Sequence, residues 1–191
     1  MTENRRRRQA SLLHQVRIIH RTMGAALFAF FALIAVTGVL LGWKKHNTWI
    51  YPKSQKGTST DLAAWLPVDS LHRIANRALH DSVDSSLSTV LDRIDIRPDK
   101  GMVKFIYADH FWGLQLDGAT GKLLHIERRR SDFIEKLHDG SILDFYTGVS
   151  GGWIKLTYTS VTGLALLGFT ISGFWLWYGP KRLRRNSRNW Q

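Results

Sequence analysis

Eight histidines and no cysteine set the chemistry open to this chain of 191 residues. Without a thiol there is no disulfide frame, no thiolate nucleophile, no cysteine-ligated iron–sulfur cluster and no covalently attached haem of the c type. Imidazole is left as the main ligand for any redox metal. His72, His80, His110 and His125 lie in mixed polar sequence, where a surface or hydrogen-bonded ring is the simple reading. His110, beside Asp109, reads as a turn residue before it reads as a weak metal ligand. His14, His20, His46 and His138 are different, because they border two apolar stretches. His14 reads as an interfacial ring. His20 is followed one helical turn later by Gly24, on the same face. The missing side chain there lets a flat macrocycle or a second helix approach the backbone. Gly38, Gly42 and His46, spaced by four, repeat the arrangement in reverse. Such spacing is also a small-residue helix-packing face, and both uses are compatible if a dimer seam holds a cofactor. Asp139 and Asp144 follow His138. Carboxylate with imidazole suits ferric or ferrous iron, and acidic residues equally cap a helix N-terminus.

Two elements must position these residues. Thr22–Trp43 and Leu156–Pro180 hold 22 and 25 residues without a charge. A membrane-spanning helix needs about 20 apolar residues at about 1.5 Å rise each. Neither stretch has the polar face of a soluble core helix, and Tyr158, Trp175, Trp177 and Tyr178 fit an interfacial aromatic belt. The first apolar run is longer than a signal peptide's, and the exit Gly42-Trp43-Lys44-Lys45 has no small-x-small cleavage site, so it reads as an uncleaved anchor. Six positive residues precede Thr22 with Glu3 alone opposing, and five follow Pro180, so ten of the twelve net charges fall in the two tails. Between them, Lys44–Lys155 has 16 positive and 14 negative residues. The positive-inside rule then places both tails in the cytoplasm and the middle outside, which in a bacterium is the periplasm. Tail charge is explained by topology and anionic lipid, so no nucleic-acid partner is needed.

The middle carries the pattern of a folded domain. From Val68 the apolar spacing is helical, with Asp69 or Ser70 as the expected cap. Short alternating runs follow at Val90–Ile96, Met102–Tyr107, Trp112–Asp117 and Lys122–Glu127, separated by Pro98–Gly101 and Gly118–Gly121 turns. One helix and an antiparallel meander predict an α+β module.

Leu116-Asp117-Gly118-Ala119-Thr120-Gly121-Lys122-Leu123 resembles the Asp…Thr-Gly-x-Leu hairpin of PepSY domains. His20-Arg21-Thr22-Met23-Gly24, Thr37-Gly38-Val39-Leu40, Leu137-His138-Asp139-Gly140 and Ser172-Gly173-Phe174-Trp175-Leu176-Trp177 resemble, in order, the motifs of PepSY-associated transmembrane helices. Thr22-Met23 stands where that family usually has Trp-Leu. The resemblance implies a membrane α-helical protein with two transmembrane helices and an inserted α+β PepSY-like periplasmic domain. Its parts are a basic cytoplasmic tail (1–21), a first span (22–43), the domain with its pre-membrane segment (44–155), a second span (156–180) and a second basic tail (181–191). Larger relatives have four or more spans, and some carry a cytoplasmic flavin reductase domain. They are similar to iron-uptake membrane proteins, including siderophore-iron reductases with b-type haem. Short two-span members are linked to ferric reduction that supports ferrous uptake.

The resemblance therefore implies haem b as cofactor and iron as substrate, in a haem-dependent ferric reductase. His20 and His46 are 26 residues apart, or roughly 39 Å in a continuous helix, too far to share one iron. An inner haem would use His20 with its symmetry mate, against Gly24. An outer haem would use His46 with His138, near Gly42. Phe28, Phe30, Phe31, Trp175 and Trp177 would line haem or face lipid. Two spans bury too little to enclose a macrocycle, so a homodimer of four is expected. A cytoplasmic electron donor such as a flavin reductase and a ferrous iron transporter are the implied partners, with membrane lipid around the spans. Two other readings stand beside this one. The chain would be a non-catalytic interaction module for an envelope transporter or peptidase, or an iron-delivery protein binding metal at His46, His138 and Asp139. No defensible Ser/His/Asp set, His-x-x-x-His zinc pair or phosphate-binding glycine loop is present.

Overall fold

The structure, a computed structural model, describes residues 3–188. The side chains of Glu3, Arg5, Arg6, Arg184, Arg185 and Arg188, counted above in the basic tails, lie outside the described set. The chain forms two compact units, one of residues up to Val36 with those from His138 onward, the other Thr37–Leu137.

The first unit is helical. α1 runs over Glu3–Gly42 and α5 over Trp153–Arg188, each a single helix that carries its apolar stretch and continues into basic sequence. Both are long and apolar enough to cross a membrane, and almost none of either apolar window is buried within the protein. They meet by placing large side chains over small ones. A Cβ added to Gly24 would stand 3.3 Å from the Phe169 ring, and one added to Gly173 would stand 3.6 Å from His20. Leu13 fills the space over Gly179 in the same way. The approaches at Gly24 and Gly179 are tighter than an ordinary Cβ contact, and that at Gly173 is an ordinary one; helices in a bilayer associate through such fit and hydrogen bonds with no gain from water exclusion.

The second unit is an α+β domain with its own dry core. α2 (Val68–Ser82) presents Leu71, Ala75 and Leu79 at helical spacing, all fully buried. They pack on Val103, Phe105, Tyr107, Leu114 and Leu116 from one face of a sheet. Each such large side chain contributes about 1.5–3 kcal/mol on leaving water. The sheet is the expected meander, β1 (Leu91–Arg97), β2 (Met102–Tyr107), β3 (Trp112–Asp117) and β4 (Leu123–Arg128) in sequence order, each antiparallel to the next. α3 (Arg130–His138) follows it, and α4 (Ser141–Thr147) precedes α5.

Two details differ from the sequence reading. α2 begins after Pro67 with no side-chain cap, so neither Asp69 nor Ser70 caps it. The fixed φ of Pro67 starts the helix early, and Asp69 sits inside the first turn, ion-paired to Arg73 at 2.7 Å. The second face of the sheet is also covered. Residues 50–58 lie across it as a strap, and β2 and β3 are buried along almost their whole length. Gln55 N–H donates to Gln115 Oε1 (2.8 Å), Gly57 N–H to the Lys100 carbonyl (2.8 Å) and Thr58 N–H to Asp117 (3.2 Å). Beneath the strap, Glu127 pairs with Lys104 and accepts from Gln115 Nε2 at 2.6 Å. Lys104 also lies over the Tyr51 ring.

The Asp117 hairpin gains a physical account. Its buried carboxylate accepts from Ala119 N–H at 2.9 Å as well as from Thr58, and Gly121 turns the chain with φ +71°. Burial opposes ionisation of Asp117, yet these bonds outweigh it and hold the carboxyl below its usual range. Trp65 occupies the space that a side chain at Gly118 would need.

Candidate functional site

His20 is half-buried between the two long helices, and its surroundings are the most specific of any histidine at a membrane boundary. Its Nδ1 lies 2.8 Å from Ser172 Oγ. Ser172 O–H donates to the Phe169 carbonyl at 3.1 Å, the back-bond usual for a hydroxyl inside a helix. With the hydroxyl proton on the Phe169 carbonyl, the Ser172 oxygen can accept from Nδ1–H of His20, the tautomer in which Nε2 would offer its lone pair. A ring nitrogen fixed by a neighbour's oxygen while the other stays unprotonated is the arrangement of a metal-ligating histidine. The Phe169 ring stands 4.5 Å from the imidazole and meets Phe31 edge-on at 5.5 Å.

Gly24 does share the face of His20, and Phe169 occupies the space over it. Gly42 has no neighbour within 4 Å of a built Cβ. His46 ends a short helical turn, Lys44–His46, in the sheet unit and is exposed. His138 ends α3 and is half-buried in the helical unit. Among the described residues no group of three or more His, Asp or Glu side chains is gathered as a metal cage.

Both acidic residues after His138 have partners. Asp144 accepts from the N–H groups of Ile154 (3.2 Å) and Lys155 (2.8 Å), satisfying donors in the first turn of α5. Asp139 accepts from Ser141 N–H at 2.9 Å and pairs with Lys155 at 2.5 Å. Burial works against its charge, but Lys155 and Ser141 prevail and hold its carboxyl below the usual range. The glycines Gly148, Gly151 and Gly152 all have positive φ and make the turn into Trp153.

Three of the remaining rings, His72, His80 and His110, have structural partners. His110 bonds the Ser88 carbonyl through Nε2 and accepts from Trp112 N–H through Nδ1. His80 bonds the Leu87 carbonyl, and His72 stacks on Phe105. His14 is exposed.

Residues 17–191 match the family described as the PepSY-associated TM region. The chain belongs to that family. No curated protein and no solved structure matches it. Membership and the two long apolar helices make this PepSY-associated chain a membrane protein. Sequence reasoning found His20 and missed Ser172 and Phe169 as its partners. The signal was present, since Ser172 opens the Ser172-Gly173 motif.

Proposed function

We propose that this PepSY-associated chain is a bacterial inner-membrane haem b protein that passes electrons from the cytoplasmic side to periplasmic ferric iron, supporting ferrous uptake. The observation that carries this reading is His20, half-buried between the two long helices with its Nδ1 held 2.8 Å from Ser172 Oγ, which leaves Nε2 as the nitrogen that would face a metal. Haem b, when bound, supplies a one-electron couple within the bilayer. His20 would hold that group through Nε2, with Ser172 orienting the ring and Phe169 and Phe31 packed beside it. His46 and His138 are the ligands expected toward the other face. Asp139 is engaged by Lys155, so iron binding there would have to displace that ammonium. The charge of the tails supports the orientation. A homodimer, a flavin reductase as donor and a ferrous transporter complete the scheme.

A reduced-minus-oxidised spectrum of the detergent-purified protein tests it. The expected result is a b-type spectrum that His20→Ala diminishes and Ser172→Ala retains with a shifted midpoint potential. No Soret change on dithionite addition, with ferric reduction in cells unaffected by His20→Ala and His138→Ala, sinks the haem reading. A stable crosslinked partner without bound cofactor would then identify an interaction module.

A further inference from the structure

The charges of the sheet unit nearly cancel in sum but not in space. Several of its cations have carboxylates, as in Lys44–Glu135, Arg73–Asp69, Lys104–Glu127 and Arg129–Asp132. Lys45, Lys53, Lys56, Arg97 and Lys100 have none among the described residues. These five surround one open pocket of about 450 Å³ that has no acidic residue in its lining. The fold brings them together from three separate segments. Gly57 N–H bonds the Lys100 carbonyl at 2.8 Å, tying the strap to the β1–β2 turn. A Cβ on Gly57 would strike the Gly101 carbonyl, so the backbones touch there, and Lys56 is carried up to Lys100. Lys45 joins from the other side, three residues past the end of α1. Five like charges around one concavity repel one another and raise the local concentration of anions.

We propose that this pocket binds a phosphate group, carried by the headgroup of an anionic phospholipid. Two observations favour lipid as the carrier. Lys45 is within about 11 Å of the last residue of the apolar helix by chain length alone. Trp43 and Trp49, on the same connection, are 68% and 61% exposed, as interfacial aromatic anchors are. Four of the five cations are lysines, which bind phosphate as point charges without fixed orientation. Bound this way, the strap face of the domain is held against the headgroups next to the end of α1.

The test uses the full chain in mixed phosphatidylglycerol/phosphatidylcholine micelles, with retained lipid counted by native mass spectrometry. The wild type should prefer phosphatidylglycerol. Lys53→Gln/Arg97→Gln/Lys100→Gln should lower that affinity by about 100-fold, because each basic residue near an anionic surface counts for about a factor of five. A tail control, Arg8→Gln/Arg17→Gln/Lys181→Gln, should keep the pocket's lipid. Raising salt on the wild type should reproduce the loss without a substitution. Inorganic pyrophosphate is the second probe. If it binds the wild type without lipid as tightly as phosphatidylglycerol does, and the pocket variant binds neither, the phosphate site stands and the lipid assignment falls. No preference over phosphatidylcholine, or a preference lost in the tail control and kept in the pocket variant, overturns the proposal.

Discussion

The helical unit and the sheet unit bury their apolar residues by opposite means. In the sheet unit, Leu71, Leu79, Phe105 and Leu116 have no exposed surface, and the helix and strands that hold them are enough to exclude water. In the helical unit Phe28, Val36, Leu164 and Ile171 are each more than half exposed. Two helices touch along one line only, so most of their apolar surface must be covered from outside, and a bilayer supplies that cover. Sequence hydrophobicity therefore predicts different things in the two units. In one it marks what is packed, and in the other what is surrounded.

Substitutions at the two kinds of phenylalanine break this comparison most sharply. Phe105→Ala should destabilise the sheet unit by about 3–5 kcal/mol, since it opens a cavity in a closed core. Phe28→Ala, on an exposed helix face, should stay within about 0.5 kcal/mol. Chemical unfolding of the full chain in detergent, followed by tryptophan fluorescence, separates them. Similar costs at both sites would mean that Phe28 is packed against protein.

The polar layer under the strap is a second internal contrast. Lys104→Met leaves Glu127 charged and buried without its partner, and should cost about 3–5 kcal/mol. Lys104→Met with Glu127→Leu should recover most of that loss, because the removed pair and its desolvation cost go together. A double variant as unstable as the single one would show that Gln115 and the strap need the carboxylate itself. Gly57→Ala acts on the same strap from its end and should cost about 1–3 kcal/mol, by pushing apart backbones that already touch.

These predictions also mark what the sequence made legible. The strands at Met102–Tyr107 and Trp112–Asp117 were readable to the residue, because period-2 alternation was bounded by Pro98, Gly101 and Gly118. Lys53-Ser54-Gln55-Lys56-Gly57 reads as a polar connection, and nothing in its side chains announces a strap. Its hold on the sheet comes largely from backbone N–H groups, which no side-chain pattern encodes. Burial of Lys104, Gln115 and Glu127 was hidden for the same reason. At the candidate site, His20 was visible from its place at an apolar boundary, whereas its bond to Ser172 spans 152 residues and depends on how two helices align.

Alignment of the helices is testable at that bond. Ser172→Ala removes the acceptor for His20 Nδ1 and should cost about 1 kcal/mol. Ser172→Thr keeps the hydroxyl and should restore most of it. The same pair of variants, read by thermal stability in detergent without added cofactor, separates a packing role from a ligand-orienting one. A loss confined to cofactor-loaded protein would assign Ser172 to orientation alone.

The smallest expected effect concerns pH, and it falls in the sheet unit. His110 donates from Nε2 to the Ser88 carbonyl (2.9 Å) and accepts Trp112 N–H at Nδ1 (3.2 Å), so its neutral tautomer satisfies both partners. A second proton would go to Nδ1 and turn that acceptor into a donor facing another donor. Burial lowers the pKa of His110 below 6.5, and the nearby Arg129 charge acts the same way, against the opposing pull of the Ser88 carbonyl and Asp109. The unfolded chain thus takes up a proton that the folded chain resists. Stability from this group is complete above pH 6.5 and is lost as pH falls from there toward the lower folded value. His110→Asn keeps an oxygen that can accept Trp112 N–H in an Asx turn and removes the titration. Its unfolding free energy, followed between about pH 7.5 and pH 5, should fall less steeply than that of the wild type. Equal slopes would place the acid sensitivity of the domain in its carboxylates, with Asp117 the first to examine.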